Sequence, residues 1–370
     1  MKYLLFTLEY PPFRGGVANY YGNLAKFWPV GQGEGGADGS LAVLHNNDNQ
    51  LINDKLPFFK WLPAITELRR MVRKEKIGHV LVGHVLPLGT ATWLVSKITR
   101  IRYSVIIHGT DLNSALARPR RRWLAGRILA GAENIICNSS FAAGLCENFI
   151  GKDKKIKVVN PGLDPRVKSD PELESRLRTK YDLGNKPILL TVGRLVTRKG
   201  VDKVLESMPV ILQHVPNLVY IIVGNGPDLE ALKLQINDYL LNKNAMIITD
   251  ATDEERNAWY DLCDIFIVAG RQIGSDVEGF GIVYLEAGLH GKPVIAGDSG
   301  GVRDAVEDNL NGLLIDPTDT AAIARAVAGL AKDETLRRQL GEQGRERALA
   351  RFSWQKQIMK IYNIVSDNAE

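Results

Sequence analysis

The stretch SDVEGFGIVYLEAGLHGKPVIA, residues 275–296, decides the fold. It is typical of a loop, a helix that starts at Gly279-Phe280-Gly281, and a strand after the helix. Glycines at a helix start allow backbone N–H groups to point at an anion, and the positive end of the helix dipole favours negative charge there. The segment therefore predicts an α/β unit with an anion-binding turn.

Short aliphatic runs recur along the whole chain on both sides of this stretch. They are continuous rather than alternating, which indicates strands buried on both faces of a parallel sheet. Helix-like segments such as residues 64–75 and 123–130 lie between them, so each half predicts a doubly wound α/β sheet. The predicted strands are residues 3–8, 41–45, 79–83, 103–109, 134–139 and 156–162 in the first half, and 187–193, 218–224, 245–249, 264–270, 292–297 and 311–316 in the second.

Length and composition agree with two globular domains. The 370 residues are 45% hydrophobic and 24% charged, which excludes long disorder, collagen and coiled coil. No apolar run approaches the roughly 18–20 residues that span a bilayer. The three cysteines form neither a disulfide framework nor a metal-ligand cluster. We expect a cytoplasmic protein with domains at residues 1–168 and 169–350 and a helical segment at 351–370.

The net charge of +5 is the sum of two unlike halves. Residues 1–168 hold 24 Lys and Arg against 12 Asp and Glu, a net +12, whereas residues 169–370 hold 23 against 30, a net −7. Most of the excess lies in residues 68–76, 117–123 and 151–157. Each of these segments alone is typical of a solvated face, but together they suggest an anionic partner for the first half.

Several motifs lie where a predicted strand ends. Gly15 and Gly16 follow the first strand, His108 follows another, and Arg194 and Lys199 belong to VGRLVTRKG, residues 192–200. An arginine fork and a lysine point charge at the carboxyl edge of a sheet suit a diphosphate. Taken singly, the two glycines are compatible with a plain turn, His108 with a structural role, and the Arg194–Lys199 segment with a solvated basic loop.

Two acidic residues flank the glycine turn of the opening stretch. Glu278 precedes the helix and Glu286 lies within it, among apolar neighbours. If both were helical, they would be roughly 12 Å apart, beyond the roughly 5–9.5 Å of glycosidase carboxyl pairs. The spacing favours two acids that hold different hydroxyl-bearing parts of one extended ligand.

Taken together, the motifs resemble glycosyltransferase family 4. The family consists of retaining, nucleotide-sugar-dependent enzymes with the GT-B fold, an α/β architecture of two doubly wound, parallel-sheet Rossmann-like domains that face each other across a cleft. The amino-acid sequence of these motifs looks closest to the phosphatidylinositol mannosyltransferase branch, which uses GDP-mannose. The residues that carry the resemblance are Gly15-Gly16, His108-Gly109-Thr110-Asp111, Gly193-Arg194-Leu195, Arg198-Lys199-Gly200, Gly224-Asn225-Gly226-Pro227 and Glu278-Gly-Phe-Gly-x4-Glu286.

The resemblance implies roles for particular residues. Arg194 and Lys199 would hold the donor diphosphate, Glu286 the ribose hydroxyls and Glu278 the hexose hydroxyls, while His108 would contact the transferred sugar. The implied catalytic residues are His108, Arg194, Lys199 and Glu278. Asp111 would lie in the wall of the acceptor side. No essential divalent metal or other cofactor is expected. The implied donor-binding residues are Gly15, Gly16, Gly193, Arg194, Lys199, Gly224, Asn225, Ala251, Glu278, Gly279, Phe280, Gly281, Ile282, Val283 and Glu286.

The resemblance also implies an activity and its partners. A hexose, mannose being favoured, would pass by a front-face mechanism from GDP-mannose to a hydroxyl of a lipid-linked or glycan acceptor. The segment 351–370 would cross back to the N-terminal domain, and the basic half would attract an anionic membrane surface. No nucleic-acid recognition motif is present. The alternatives are a UDP-sugar-dependent glucosyl- or N-acetylglucosaminyltransferase, a sugar epimerase or phosphorylase on a similar fold, and a non-catalytic binding protein.

Overall fold

The computed structural model describes residues 1–13, 15–29, 39–53, 55, 60–153, 155–165 and 170–366. The chain divides into two compact units: Met1–Gly162 together with the segment from Trp354 onward, and Leu163–Ser353. These boundaries differ slightly from the expected 168 and 350. The reason is that Leu163 is buried in the core of the second unit, where its N–H donates to Phe352 O and it bridges to Ser353.

The first unit is built on a six-stranded sheet in the order β2-β1-β3-β4-β5-β6, and every recorded strand pair is parallel. This corresponds to the flavodoxin-like doubly wound order, whose direction changes between the first and third strands. Its strands are β1 Lys2–Phe6, β2 Leu41–Leu44, β3 Ile77–Val82, β4 Arg102–Ile107, β5 Asn134–Cys137 and β6 Ile156–Val158. Its helices are α1 Gly16–Lys26, α2 Leu62–Glu75, α3 Leu88–Thr99, α4 Thr110–Leu116, α5 Pro119–Gly131 and α6 Ser140–Ile150.

The second unit has a parallel sheet in the order β12-β11-β10-β7-β8-β9. Counted from β7, this is the dinucleotide-binding order 3-2-1-4-5-6. Its strands are β7 Ile188–Val192, β8 Val219–Val223, β9 Ala245–Ile248, β10 Ile265–Val268, β11 Val294–Gly297 and β12 Gly312–Ile315. Its helices are α7 Pro171–Lys180, α8 Val201–His214, α9 Leu229–Asp238, α10 Asp253–Leu262, α11 Ile282–Leu289, α12 Val302–Ala305, α13 Thr320–Lys332 and α14 Glu334–Arg351, with a 3-10 turn at Thr197–Lys199.

Both faces of the second sheet are covered by apolar packing. Leu189 and Leu190, adjacent on β7, lie in two different buried clusters, one on each face of the sheet. Leu190 packs with Phe266, and Leu189 with Ile267. Since successive strand residues point to opposite faces, both sets must be apolar, which explains the continuous hydrophobic runs in the sequence.

Each of the twelve predicted runs overlaps one observed strand, so the prediction of two parallel sheets is confirmed. The last helix, α15 Trp354–Ser366, belongs to the first unit, where the Trp354 ring lies 5.6 Å from that of Tyr20. None of the helices in the described ranges is both long and apolar enough to cross a bilayer. The acidic, glycine-rich segment after Pro29 lies largely outside the described residues.

Candidate active site

In the second unit, two predicted motifs meet at the point where the strand order changes direction. β7 and β10 are neighbours there, although they are not consecutive along the chain. Ligands of doubly wound sheets bind outside the carboxyl ends of the strands at such a point. The loop after β7 carries Gly193, Arg194 and Lys199, and the loop after β10 carries Glu278 and the glycine turn.

Glu278 is held by two cations. Its Oε2 lies 2.5 Å from Lys199 Nζ and 2.7 Å from Arg198 Nη1. Arg198 also places its Nε 3.1 Å from Asp276 Oδ1. The Glu278 side chain is only 12% exposed and Lys199 is buried, so the pairs are shielded from water. Burial raises the pKa of Glu278, but Lys199 and Arg198 outweigh it and leave the pKa below its usual value. The carboxylate is therefore ionised.

The glycine turn next to Glu278 is fixed by backbone geometry. Gly281 has a φ of 86°, and a Cβ at this position would overlap the Tyr284 ring. That ring is anchored because its hydroxyl donates to Val268 O at 3.0 Å. α11 begins only at Ile282, so Glu278 is not helical and the 12 Å spacing estimated for two helical residues does not apply.

Glu286 lies on α11 and is positioned by a buried tyrosine. The Tyr260 hydroxyl donates to Glu286 Oε2 at 2.8 Å. The Tyr260 ring is stacked on His290 with centroids 5.3 Å apart, and His290 Nδ1 lies 2.7 Å from Asp261 Oδ1. One carboxylate oxygen is thus oriented by the protein, and the other is the natural acceptor for a ligand hydroxyl.

The loops after β7 and β8 are joined by backbone hydrogen bonds. Leu195 N donates to Asn225 O at 2.9 Å, and a Cβ on Gly224 would overlap Gly193 O. Arg194 is exposed on this loop, and Ala251 is half-buried after β9. Donor-site candidates therefore follow β7, β8, β9 and β10 at one edge of the sheet.

In the first unit, His108 is surrounded by buried aromatic side chains. Its Nε2 lies 2.9 Å from the Tyr21 hydroxyl, which donates to Gly83 O at 2.7 Å. Its backbone N–H donates to Asp111 Oδ1 at 3.1 Å. Burial, with a smaller contribution from His84, lowers the pKa of His108 to about 3. The imidazole is therefore neutral at physiological pH.

Asp111 is a buried carboxyl that is incompletely paired. Its Oδ2 has no hydrogen-bond partner among the described residues. Burial raises its pKa to about 6, against the opposing effect of backbone N–H groups including that of His108. Gly15 and Gly16 begin α1 in the same unit, and a Cβ on Gly16 would have no atom of the described residues within 4 Å. The start of this helix is therefore open to a ligand.

The predicted residues thus form two groups, one in each unit. Gly15, Gly16, His108 and Asp111 lie in the first, and the other candidates lie in the second. Sequence reasoning did not assign site roles to Tyr21, Arg198 and Tyr260. For Arg198 there was a signal, since it stands next to Lys199; the two buried tyrosines gave none. In the described part of the chain, no three His, Cys, Asp or Glu side chains are grouped to hold a metal ion. Metal independence stays a prediction.

Comparison with known proteins identifies the family of the chain. The model of the glycosyl transferase 4-like domain matches residues 40–162, and the model of glycosyl transferases group 1 matches residues 174–347. A relative in Mycolicibacterium smegmatis, a GDP-mannose-dependent alpha-(1-6)-phosphatidylinositol monomannoside mannosyltransferase, is 29% identical over 381 residues, with 99% of both chains covered. Together the two family models match most of the chain, so it belongs to the glycosyltransferases that these models describe and is an enzyme of this kind, as its motifs predicted.

Solved structures give the same fold. HepE from Anabaena, in complex with UDP-glucose, has a TM-score of 0.79 at 20% identity over 99% of each chain. Sucrose-phosphate synthase from Thermosynechococcus elongatus has a TM-score of 0.81 at 19% identity, with 99% of this chain and 98% of that chain covered. The two six-stranded parallel sheets with their helices are therefore those of GT-B glycosyltransferases, and the fold prediction is confirmed.

Proposed function

We propose that this glycosyltransferase is a retaining mannosyltransferase that moves mannose from GDP-mannose to a hydroxyl of a lipid-linked or glycan acceptor. The observation that carries the proposal is the cluster of Arg198, Lys199 and Glu278 beside the glycine turn at the switch point of the second sheet. It combines cations for a diphosphate with an ionised acid for sugar hydroxyls. The name of the mycolicibacterial relative supports the choice of donor.

The leaving diphosphate gains charge as the glycosidic bond breaks. Arg194, Lys199 and the backbone N–H groups of the Phe280–Gly281 turn stabilise that charge, which is the main contribution to the rate. Lys199 is 2.5 Å from Glu278, and its ammonium has three N–H donors, so it can contact the carboxylate and the phosphate together. Arg198 then keeps Glu278 ionised and in place.

The two acids hold different parts of the donor. Carboxylate oxygens accept hydrogen bonds, so both acids suit hydroxyl donors. Glu286, oriented by Tyr260, takes the ribose hydroxyls. Glu278 takes the hexose hydroxyls.

The chemistry is front-face transfer. The acceptor oxygen attacks the anomeric carbon on the face from which the diphosphate departs, and the departing phosphate oxygen accepts the acceptor's proton. No bond to a protein side chain forms, so a covalent glycosyl-enzyme adduct would contradict the mechanism. His108 contacts the transferred sugar as a neutral group.

The basic charge of the first half supports an acceptor at an anionic membrane surface. At the start of α5, Arg120, Arg121 and Arg122 are exposed, and the neighbouring Trp123 is 60% exposed. The Arg127 guanidinium lies 5.4 Å from the Trp123 ring centroid. Cations beside an aromatic ring suit the interface of an anionic bilayer.

The donor is tested by thermal shift with GDP-mannose, UDP-glucose and ADP-glucose, each with and without magnesium. A cognate donor at 100 times its dissociation constant stabilises by about 2.7 kcal/mol, so GDP-mannose should stand out, and magnesium should add nothing. Lys199→Ala should remove most of the shift. Lys203→Ala is the matched control, because the Lys203 ammonium pairs with Glu206, three residues along α8. A shift with GDP-mannose no larger than with UDP-glucose would refute the donor assignment.

A further inference from the structure

Two adjacent tyrosines of α1 contact His108 in nearly the same way. The rings of Tyr20 and Tyr21 lie edge-on to the imidazole, with centroids 5.0 Å and 5.4 Å away, and both side chains are buried. Their hydroxyls differ. The Tyr21 hydroxyl contacts both Gly83 O and His108 Nε2, whereas that of Tyr20 has no hydrogen-bond partner in the described ranges.

Counting protons at the Tyr21 hydroxyl determines the state of the imidazole. A carbonyl oxygen can only accept, so the single hydroxyl proton is donated to Gly83 O. In the contact with His108 the tyrosine oxygen must then accept, and Nε2 must carry the proton. A neutral imidazole has only one N–H, so Nδ1 is left with its lone pair.

The groups that fix this arrangement are held by the sheet. Gly83 follows β3, and its N–H donates to Phe6 O at 2.8 Å, which fixes the peptide next to the carbonyl. A Cβ on Gly83 would lie 2.8 Å from Tyr21 Cζ and 2.9 Å from its hydroxyl oxygen. The absence of a side chain at Gly83 is therefore what lets the tyrosine hydroxyl reach the carbonyl.

We propose that Tyr21 is a positioning residue that fixes His108 as the Nε2–H tautomer, so that Nδ1 meets a sugar hydroxyl as a hydrogen-bond acceptor. The sugar contact rests on the proposed function; the tautomer does not. In this state His108 selects a hydroxyl donor on the sugar and does not serve as a general acid through Nδ1.

The tautomer is tested by NMR on the full-length, ligand-free protein labelled with ¹⁵N-histidine, with the His108 signals assigned through His108→Gln. We expect a protonated Nε2 and an unprotonated Nδ1 in the wild type. Tyr21→Phe removes the acceptor and should give a mixture of both tautomers. Tyr20→Phe is the matched control and should leave the His108 signals unchanged. A wild-type protein with the proton on Nδ1 overturns the inference without any variant.

Kinetics test the consequence. Tyr21→Phe should lower kcat at least about threefold, because the fraction of His108 in the wrong tautomer is ineffective and the imidazole loses the contact that orients it, with the donor KM within about twofold. Tyr20→Phe should retain wild-type kcat. If Tyr21→Phe keeps full kcat, or lowers it only as much as Tyr20→Phe, Tyr21 is not a positioning residue. The proposed function fails separately if the Nε2–H tautomer is found but no nucleotide sugar stabilises the protein.

Discussion

At the residue scale, the orientation of Glu286 depends on one hydroxyl. Tyr260→Phe removes the 2.8 Å bond to Glu286 Oε2 while keeping the buried ring. Without this partner Glu286 is no longer held in place for the ribose hydroxyls, so we expect the affinity for the donor nucleotide to fall roughly tenfold, which corresponds to about 1.4 kcal/mol. Titration calorimetry with GDP measures it. Tyr239→Phe, at a partly exposed ring after α9, is the control, and equal affinity in both variants would contradict the role.

Asp111 gives a prediction on pH. Its pKa is raised from 3.8 to about 6 in the folded protein, so the folded state favours the protonated form. Its contribution to stability is complete below the unfolded pKa and is lost as the pH rises to about 6. Asp111→Asn does not titrate. The free energy of unfolding of Asp111→Asn, relative to that of the wild type, should therefore rise by on the order of 2 kcal/mol between about pH 4 and 6. Above about pH 6 the difference should stay constant. Urea denaturation at pH 4, 5, 6 and 8 measures the gap; a gap that does not change with pH would contradict the assignment.

The contacts between site residues that are far apart in the sequence could not be predicted from the sequence. Tyr21 and His108 are 87 positions apart, and Arg198 and Glu278 are 80 apart. Such pairs form only when the loops and helices that follow different strands meet at one edge of a sheet, and no local pattern encodes which side chains then touch. Most of the motif residues could be predicted, because they lie in loops that follow strands and strand ends are visible as the ends of aliphatic runs; Glu286, within α11, is the exception.

At the element scale, the start of α11 depends on Gly281. Gly281→Ala places a side chain at a φ of 86° and against the Tyr284 ring, so the turn must shift. Strain at such a position costs about 1–3 kcal/mol, and the shift moves the N–H groups proposed to meet the diphosphate. We expect a lower Tm and a loss of most of the stabilisation by GDP-mannose.

Gly291, just beyond the other end of α11, provides the control for this prediction. Its φ is 70°, but a Cβ there has nothing within 4 Å. Gly291→Ala should therefore lower Tm through backbone strain alone and keep the stabilisation by donor. If both variants lose donor stabilisation equally, the effect belongs to the stability of the helix and not to the turn.

The strands were easier to predict than the helix starts. Parallel strands covered on both faces need apolar residues at every position, so each appears as an uninterrupted run. A helix that opens on glycines has no capping side chain to mark its first residue, and Glu278 could be assigned to the helix or to the loop before it. The side-chain spacing of the two acids depended on that choice.

At the scale of the whole molecule, the two units differ in charge as well as in sheet order. Residues 1–168, which carry the net +12, include the first unit up to Gly162, whereas the acids proposed to hold the donor lie in the second unit. The proposed donor site needs only local cations, Arg194 and Lys199. The excess positive charge of the first half therefore suits a different anionic partner, and a lipid surface is consistent with the exposed Trp123 among arginines.

That partner can be tested by co-sedimentation of the full-length protein with anionic and with neutral vesicles. We expect binding to the anionic vesicles alone, with a decrease as salt is raised because exposed charges are screened. Each basic residue near such a surface contributes about 1 kcal/mol, so changing the three arginines at 120–122 to glutamate should weaken binding at least about a hundredfold. A control with the same change in net charge uses three exposed arginines of the second unit, Arg303→Glu, Arg325→Glu and Arg338→Glu. If both triple variants lose binding equally, attraction follows net charge alone and α5 is not the contact; if wild type prefers neither vesicle, the membrane proposal is wrong.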